Sequence, residues 1–287
     1  MEPIKTMSNK DHDEIRTILV ALDASRHSMA ALDAAVRLAH TLEAHLEGLF
    51  VEDINWYRVS RLSSTFEVGD LTGSVRSMGE KKMQRQVDAL VSRLRRALVS
   101  ASERNQVKNY RFRTERGEVD KRLLSAAEKA DLITIGRSGQ SFGQRSRLGR
   151  TARTLIEKTS KPLLLLQKGH RLGNTLVLAY DPMIDDGDLL RFAQGLARRT
   201  ESKLMIIALG GPQSDEKKIS QQVRQKLDDD DTTVSMRVLQ APDPYQLARI
   251  VNYDRGGLLI GRRSQPLFAF KPLERIMADV SCPILLF

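Results

Sequence analysis

Short apolar runs alternate with longer amphipathic stretches along this chain, and the whole alternation occurs twice. Residues 17–23 read T-I-L-V-A-L-D, and residues 175–181 read T-L-V-L-A-Y-D. Runs that are apolar throughout are typical of strands buried on both faces of a parallel sheet. When such strands alternate with helices, the crossovers place helices on both faces of the sheet. The sequence therefore predicts an α/β protein with two similar domains.

The apolar periodicity predicts five strands and four helices in each copy. In the first copy the strands span about 17–21, 46–51, 110–114, 132–135 and 163–166, and the helices about 28–41, 74–104, 118–130 and 149–159. In the second copy the strands span about 175–179, 203–209, 234–239, 258–260 and 283–287, and the helices about 185–200, 216–227, 245–253 and 272–279. Residues 52–73 are predicted to form a loop. We expect a flexible N-terminal tail over 1–15, a first domain over 16–170 and a second over 171–287.

The composition excludes several classes of protein. A single Cys among 287 residues cannot form an internal disulfide or supply a Cys-based zinc site. No apolar run reaches the roughly 20 residues that a membrane helix needs, and the polar first sixteen residues contain no signal-peptide core. The sequence also contains no phosphate-binding P-loop, dinucleotide fingerprint or hydrolase nucleophile elbow. We therefore expect a cytoplasmic protein without membrane contact, and no group equipped for efficient catalysis.

Positive charge is concentrated in the first copy. The chain has 46 Lys and Arg against 36 Asp and Glu, and residues 1–170 hold 30 of the basic and 21 of the acidic groups. Such an excess attracts anions such as phosphates or nucleic acid, although it also suits a solvated helix face. Nucleic acid is the last-ranked partner, because aromatic residues are not interleaved with the basic ones.

The candidate site lies where the first and fourth strands of the first copy end, because ligands of open parallel sheets bind at that edge. Glycines there let the backbone approach a phosphate, and the helix that begins near Gly149 directs N–H groups towards it. Asp23 can accept a hydrogen bond from a base or ribose, and its alternative role is a helix cap. For the glycines the alternative is a simple flexible loop. The candidate residues are Asp23, Ala24, Ser25, Gly136, Arg137, Ser138, Gly139, Gly149, Arg150 and Thr151.

Residues 17–25, the glycine spacing 136-x2-139-x9-149 and the closing run K-P-L-L-L-L over 161–166 resemble the universal stress protein family. The whole chain after its tail resembles a tandem pair of such domains. The resemblance implies flavodoxin-like, adenine nucleotide alpha hydrolase-like domains, with Asp23 at the adenine or ribose and the three glycines around the phosphates. Arg150 stands where the family has Ser or Thr, which argues against the family's hydroxyl contact with phosphate and a Mg²⁺ ion beside it. Arg150 either contacts phosphate itself or fills the site.

The second copy departs further from the family pattern. After Gly261 its sequence, R-R-S-Q-P-L-F-A-F, contains no glycine, and Leu267, Phe268 and Phe270 stand where phosphates would lie. We expect this copy to bind no nucleotide in the family manner and to serve a structural or partner-binding role.

The resemblance implies a stress-response module that binds ATP or a related adenine nucleotide in the first domain and acts through a protein partner. Slow hydrolysis of the nucleotide stays open. The alternatives are an interaction scaffold without nucleotide and a nucleic-acid-binding protein. The last strands of the two copies, 163–166 and 284–286, are apolar and are expected to pair, giving a pseudo-dimer within the chain. A further homodimer is also expected.

Overall fold

The computed structural model describes residues 15–60, 66–68, 75–77, 80–137, 148–166, 169, 172–184, 186–211, 214–227 and 232–287. The elements of the first half are β1 (Thr17–Ala21), α1 (Arg26–Leu42), β2 (His45–Asp53), α2 (Ile54–Ser60), β3 (Phe66–Val68), β4 (Val75–Ser77), α3 (Glu80–Arg104), β5 (Tyr110–Gly117), α4 (Val119–Ala127), β6 (Leu132–Gly136), α5 (Arg150–Lys158) and β7 (Leu163–Leu166).

The second half repeats this order with fewer elements. They are β8 (Thr175–Tyr180), α6 (Gly187–Arg199), β9 (Lys203–Leu209), α7 (Glu216–Lys226), β10 (Val234–Leu239), α8 (Pro244–Tyr253), β11 (Leu258–Gly261), a 3-10 turn (Pro266–Phe268), α9 (Phe270–Asp279) and β12 (Ile284–Leu286).

The main strands form one ten-stranded sheet in the order β10-β9-β8-β11-β12-β7-β6-β1-β2-β5. Within each half every neighbouring pair is parallel, and the two halves meet where β12 pairs antiparallel with β7. The predicted fold class, two five-stranded mainly parallel α/β units, is therefore confirmed. The limits of the two domains stay a prediction.

The sheet separates two apolar cores. Along β1, Ile18 and Val20 face the core under α1, α3, α6 and α7, whereas Leu19 and Ala21 face the core under α4, α5, α8 and α9. This division follows from the two-residue side-chain period of a strand. It explains why β1 is apolar throughout, because both of its faces are covered. Among the helices that the structure describes, none combines the length and hydropathy that a membrane crossing requires.

The long helix α3 packs as its apolar stripe predicts. Val87, Leu94 and Leu98 are each at most 2% exposed. The Leu98 side chain lies so close to Gly48 on β2 that any Cβ at that position would collide with it. The helix begins at Glu80 rather than at residue 74, because residues 75–77 form a strand of a small hairpin with β3.

The segment after β2 corrects the sequence prediction, which placed only a loop there. A seven-residue helix, α2, is held by Tyr57, which is 7% exposed. The Tyr57 hydroxyl donates to Glu52 Oε2 at 2.9 Å and accepts from Arg116 Nη2 at 3.1 Å. The Arg116 guanidinium also lies 4.2 Å from the centre of the Tyr57 ring. A helix of seven residues is too short to give a clear periodic pattern, and the Arg116 contact comes from a residue 59 positions away in the sequence.

The two halves are joined through their last strands, as expected. Leu164 of β7 is paired with Leu285 of β12 at the centre of the antiparallel register. Because each of these strands also pairs with a neighbour in its own half, neither keeps an open edge. The expected homodimer would have to form through another surface, and it stays a prediction.

Candidate functional site

The strand order reverses between β1 and β6, so their carboxyl ends open a crevice at the middle of the first half. The turn that follows β1, the end of β6 at Gly136 and the start of α5 at Gly149 meet around this edge. The structure thus confirms that the first and fourth main strands are neighbours, which is the arrangement on which the predicted site depends.

The turn between β1 and α1 is ordered by its own polar side chains. Asp23 Oδ1 accepts a hydrogen bond from the Ser25 amide at 2.9 Å, and Ala24 adopts a left-handed φ of 60°. Ser25 is the N-cap of α1, and its hydroxyl accepts from the Ser28 amide at 3.1 Å. The helix cap is therefore Ser25 and not Asp23. The half-buried Asp23 carboxylate is instead held at the mouth of the crevice by the turn.

Gly136 has a packing reason to be glycine. A Cβ at this position would lie 2.6 Å from the carbonyl carbon of His27 and 2.7 Å from the nitrogen of Ser28. Both atoms belong to the backbone at the start of α1, so this helix can approach β6 only over a residue without a side chain. The glycine by itself is therefore no evidence of a ligand.

The start of α5 departs from the expectation for Arg150. Gly149 is the N-cap, and as a glycine it has no side chain that could cap this end of the helix. The Arg150 side chain is 91% exposed and its Nε bonds Asp120 Oδ2 on α4 at 3.1 Å. Thr154 Oγ1 donates to the same carboxylate oxygen at 3.3 Å. A cation is unfavourable at a helix N-terminus, and Asp120 offsets its charge there. In this structure Arg150 therefore neither reaches into the crevice nor fills it, whereas Thr151 follows it in the first turn of α5.

Arg137 contacts the second half of the chain. It is only 4% exposed, and its Nη1 donates to the backbone carbonyl of Met277 on α9 at 3.3 Å. Burial lowers the pKa of the Arg137 guanidinium, and the charge of nearby Glu274 partly opposes that effect. The contact of Arg137 with a phosphate stays a prediction. The remaining candidates, Ser138 and Gly139, lie outside the described residues.

Two charged side chains at the crevice were missed by the sequence analysis. Arg93 of α3 approaches the β1–α1 turn, where its Nη2 donates to the Ala24 carbonyl at 3.5 Å. Glu274 of α9 accepts a hydrogen bond from the Leu148 amide at 3.1 Å. Both belong to elements far away in the sequence, and no spacing or motif links them to the site.

The comparisons with known proteins bear on this edge of the sheet. The family model described as "Universal stress protein family" matches residues 14–167, which is more than half of the chain. The chain belongs to the universal stress protein family. No curated protein sequence matches it significantly.

Two solved structures share the fold over nearly the whole chain, and a third match covers about half of it. A universal stress protein from Archaeoglobus fulgidus has 13% identity and a TM-score of 0.69, over 95% of this chain and 96% of that chain. A universal stress protein from Pseudomonas aeruginosa has 15% identity and a TM-score of 0.57, over 96% and 94%. A universal stress protein in complex with cAMP has 17% identity and a TM-score of 0.37, over 54% of this chain and 98% of that chain.

The corresponding edge of the second half is filled by its own side chains. Phe268 is 1% exposed and covers Gly261 so closely that any Cβ at that glycine would collide with the ring. Arg262 forms an ion pair with the fully buried Asp186. Gln265 Nε2 donates to Asp186 Oδ2 at 3.2 Å and to the carbonyl at the end of β8 at 3.0 Å. The polar groups of Arg262, Gln265 and Asp186 are thus bonded within the protein, and this edge presents no open polar site for a ligand among the described residues.

A surface cavity of about 390 Å³ opens elsewhere, at the carboxyl end of β5 between α2 and α4. It is lined by Ile54, Arg58, Gly117, Glu118, Lys121, Arg122 and Ser125. Lys121 and Glu118 form an ion pair across 2.9 Å, so part of its charge is already neutralised. Within the described ranges, no three side chains are grouped so as to hold a metal ion.

Proposed function

We propose that the first half binds an adenine nucleotide, with ATP as the first candidate, at the carboxyl ends of β1 and β6. The observation that carries this proposal is the start of α5. It lies beside the crevice with a glycine as its N-cap, so the cap residue has no side chain to bond the first N–H groups, and its Arg150 is bonded to Asp120. Backbone N–H groups at such a helix end, together with the helix dipole, favour a phosphate.

The glycine at the start of α5 supports this choice. Helices α1, α7 and α8 each begin on a side chain that accepts hydrogen bonds from the first turn, namely Ser25, Asp215 and Asp243. The N-cap side chains of α4, α6 and α9 form no such bond, but among these helices only α5 has glycine as its N-cap. An anion supplied by a ligand can satisfy these donors in place of a side chain.

Asp23 supplies the other end of the proposed site. Its carboxylate is fixed by the turn after β1, and the family resemblance assigns this position to the adenine or ribose. Arg93 adds positive charge to the same turn. We infer a binding module rather than an enzyme, since no nucleophile with a paired base was recognised in the sequence. We further propose that it acts in the cytoplasm through a protein partner.

The experiment uses a matched pair of substitutions. In the second half, Asp181 Oδ1 accepts from the Met183 amide at 2.9 Å, the same turn that Asp23 makes with Ser25. Asp23→Ala and Asp181→Ala therefore remove the same acceptor from the same local structure, once in the first half and once in the second. Melting temperatures are measured for the full chain and both variants with and without millimolar ATP.

We expect ATP to stabilise the wild-type chain by about 2.7 kcal/mol at a hundredfold excess over Kd. That corresponds to a rise in melting temperature of about 5 °C. Asp23→Ala should lose most of this rise, and Asp181→Ala should keep it. A melting temperature that does not respond to ATP would overturn the proposal and favour the interaction scaffold. A response that persists in Asp23→Ala would move the site elsewhere.

A further inference from the structure

Helix α9 of the second half contacts both residues that flank residues 138–147, in which the family pattern places phosphate-loop residues. On one side, Arg137 Nη1 donates to the carbonyl of Met277 at 3.3 Å. On the other side, the Leu148 amide donates to Glu274 Oε1 at 3.1 Å. Two acceptors less than one helical turn apart on α9 therefore hold the two ends of this segment.

The two ends are also bonded to each other. The Gly149 amide donates to the carbonyl of Arg137 at 2.8 Å, and the Arg137 amide donates to the carbonyl of Leu166 on β7 at 2.6 Å. Leu148 is thus bonded to α9, and Gly149, the N-cap of α5, is bonded to Arg137 directly after β6. Leu148 is 8% exposed, so its amide depends on Glu274 rather than on bulk water for a partner.

The contacts between α5 and α9 are reciprocal but differ in kind. From the first half, the guanidinium of Arg153 lies 4.1 Å from the ring centre of Phe270, the first residue of α9. From the second half, a carboxylate binds the backbone just before α5. Of these two contacts between the halves, the one at the start of α5 is the directional, charged hydrogen bond.

We propose that Glu274 is a positioning residue for the nucleotide site of the other half. It holds the amide of Leu148, and with it the start of α5, where the N–H groups of that helix can meet a phosphate. This inference rests on the proposed function. It assigns a role to the second half, because helix α9 of that half supports the nucleotide site of the first half.

The test compares Glu274→Ala, Glu274→Gln and Asp279→Ala in the full chain. Glutamine keeps an oxygen that can accept from the Leu148 amide but removes the charge. Asp279 is an exposed carboxylate on the same helix, and its removal controls for the change in net charge. The dissociation constant for ATP is measured by titration calorimetry, and exchange of the Leu148 amide is measured by NMR or mass spectrometry on the chain without nucleotide.

We expect Glu274→Ala to raise Kd about tenfold, in line with the loss of one charged hydrogen bond. Glu274→Gln should raise Kd clearly less than Glu274→Ala, because its neutral oxygen still accepts from the Leu148 amide, and the Kd of Asp279→Ala should stay within about twofold of the wild-type value. Without nucleotide, the Leu148 amide should exchange faster in Glu274→Ala only. Equal or tighter binding of ATP by Glu274→Ala would overturn the inference and leave the proposed function standing. Failure of the wild-type chain to bind ATP would overturn both.

Discussion

Gly136 offers a quantitative test of how β6 and α1 pack beside the crevice. A Cβ there would approach two backbone atoms of α1 to 2.6 and 2.7 Å, which is 0.8 and 0.7 Å short of the 3.4 Å at which ordinary contact begins. Backbone atoms cannot move aside by changing rotamer, so Gly136→Ala must displace the helix or the strand. Overpacking of this kind costs about 1–3 kcal/mol.

Gly195, inside α6, is the matched control for Gly136→Ala. A Cβ at Gly195 would meet no atom within 4 Å, and the backbone there is helical. Gly195→Ala should therefore stabilise the chain by about 0.5–1 kcal/mol, because alanine loses less conformational entropy in a helix. The same chemical change is thus expected to have opposite signs at the two sites.

Urea unfolding followed by circular dichroism measures both differences. We expect the midpoint of Gly136→Ala to lie below that of the wild type and the midpoint of Gly195→Ala to lie above it. If Gly136→Ala were as stable as the wild-type chain, the close approach of α1 to β6 would be refuted. The glycine would then need another explanation, such as contact with a ligand.

Three further results are expected. The Arg263 side chain donates hydrogen bonds to backbone carbonyls of both halves. Arg263→Met leaves those carbonyls unpaired and should lower the free energy of unfolding by about 3 kcal/mol. An unchanged urea midpoint would contradict this. Burial raises the pKa of Cys282 from 9.0 to about 12, so at pH 8 a disulfide reagent should label the thiol only after urea unfolds the chain. The stabilisation from that raised pKa is fully present below pH 9 and is lost as the pH rises towards 12, and fast labelling of the folded chain would refute the burial. Arg150→Ala should change the Kd for ATP by less than about threefold, because the Arg150 side chain bonds Asp120 rather than a ligand. A rise in Kd of about tenfold would instead identify Arg150 as a phosphate ligand.

The sequence predicts the fold well because the signal for it is local. The apolar run of β7, L-L-L-L, is fully buried, and a run of this kind has few other solutions than a strand covered on both faces. The repeat between β1 and β8 then extends the same argument to the second half. The local pattern does not predict α2, because its seven residues are held by Tyr57 through contacts with two strands and α3.

The candidate site is predicted less completely, because several of its side chains act on distant partners. The start of α5 near Gly149 follows from the sequence, since it depends on neighbouring residues, whereas the cap of α1 is Ser25 and not Asp23. The burial of Arg137 against α9 and the bond from Leu148 to Glu274 depend on how the two halves pack. A sequence of this kind gives no sign of which charged residue crosses between domains.

The stoichiometry of ATP binding tests the central claim most directly. The first half has a helix with a glycine cap beside its crevice, and the second half has its own Phe268 and an Asp186–Arg262 pair in the corresponding place. Titration calorimetry of the full chain should therefore give one ATP per chain. Two ATP per chain would contradict the closure of the second half, and no binding would contradict the nucleotide site of the first.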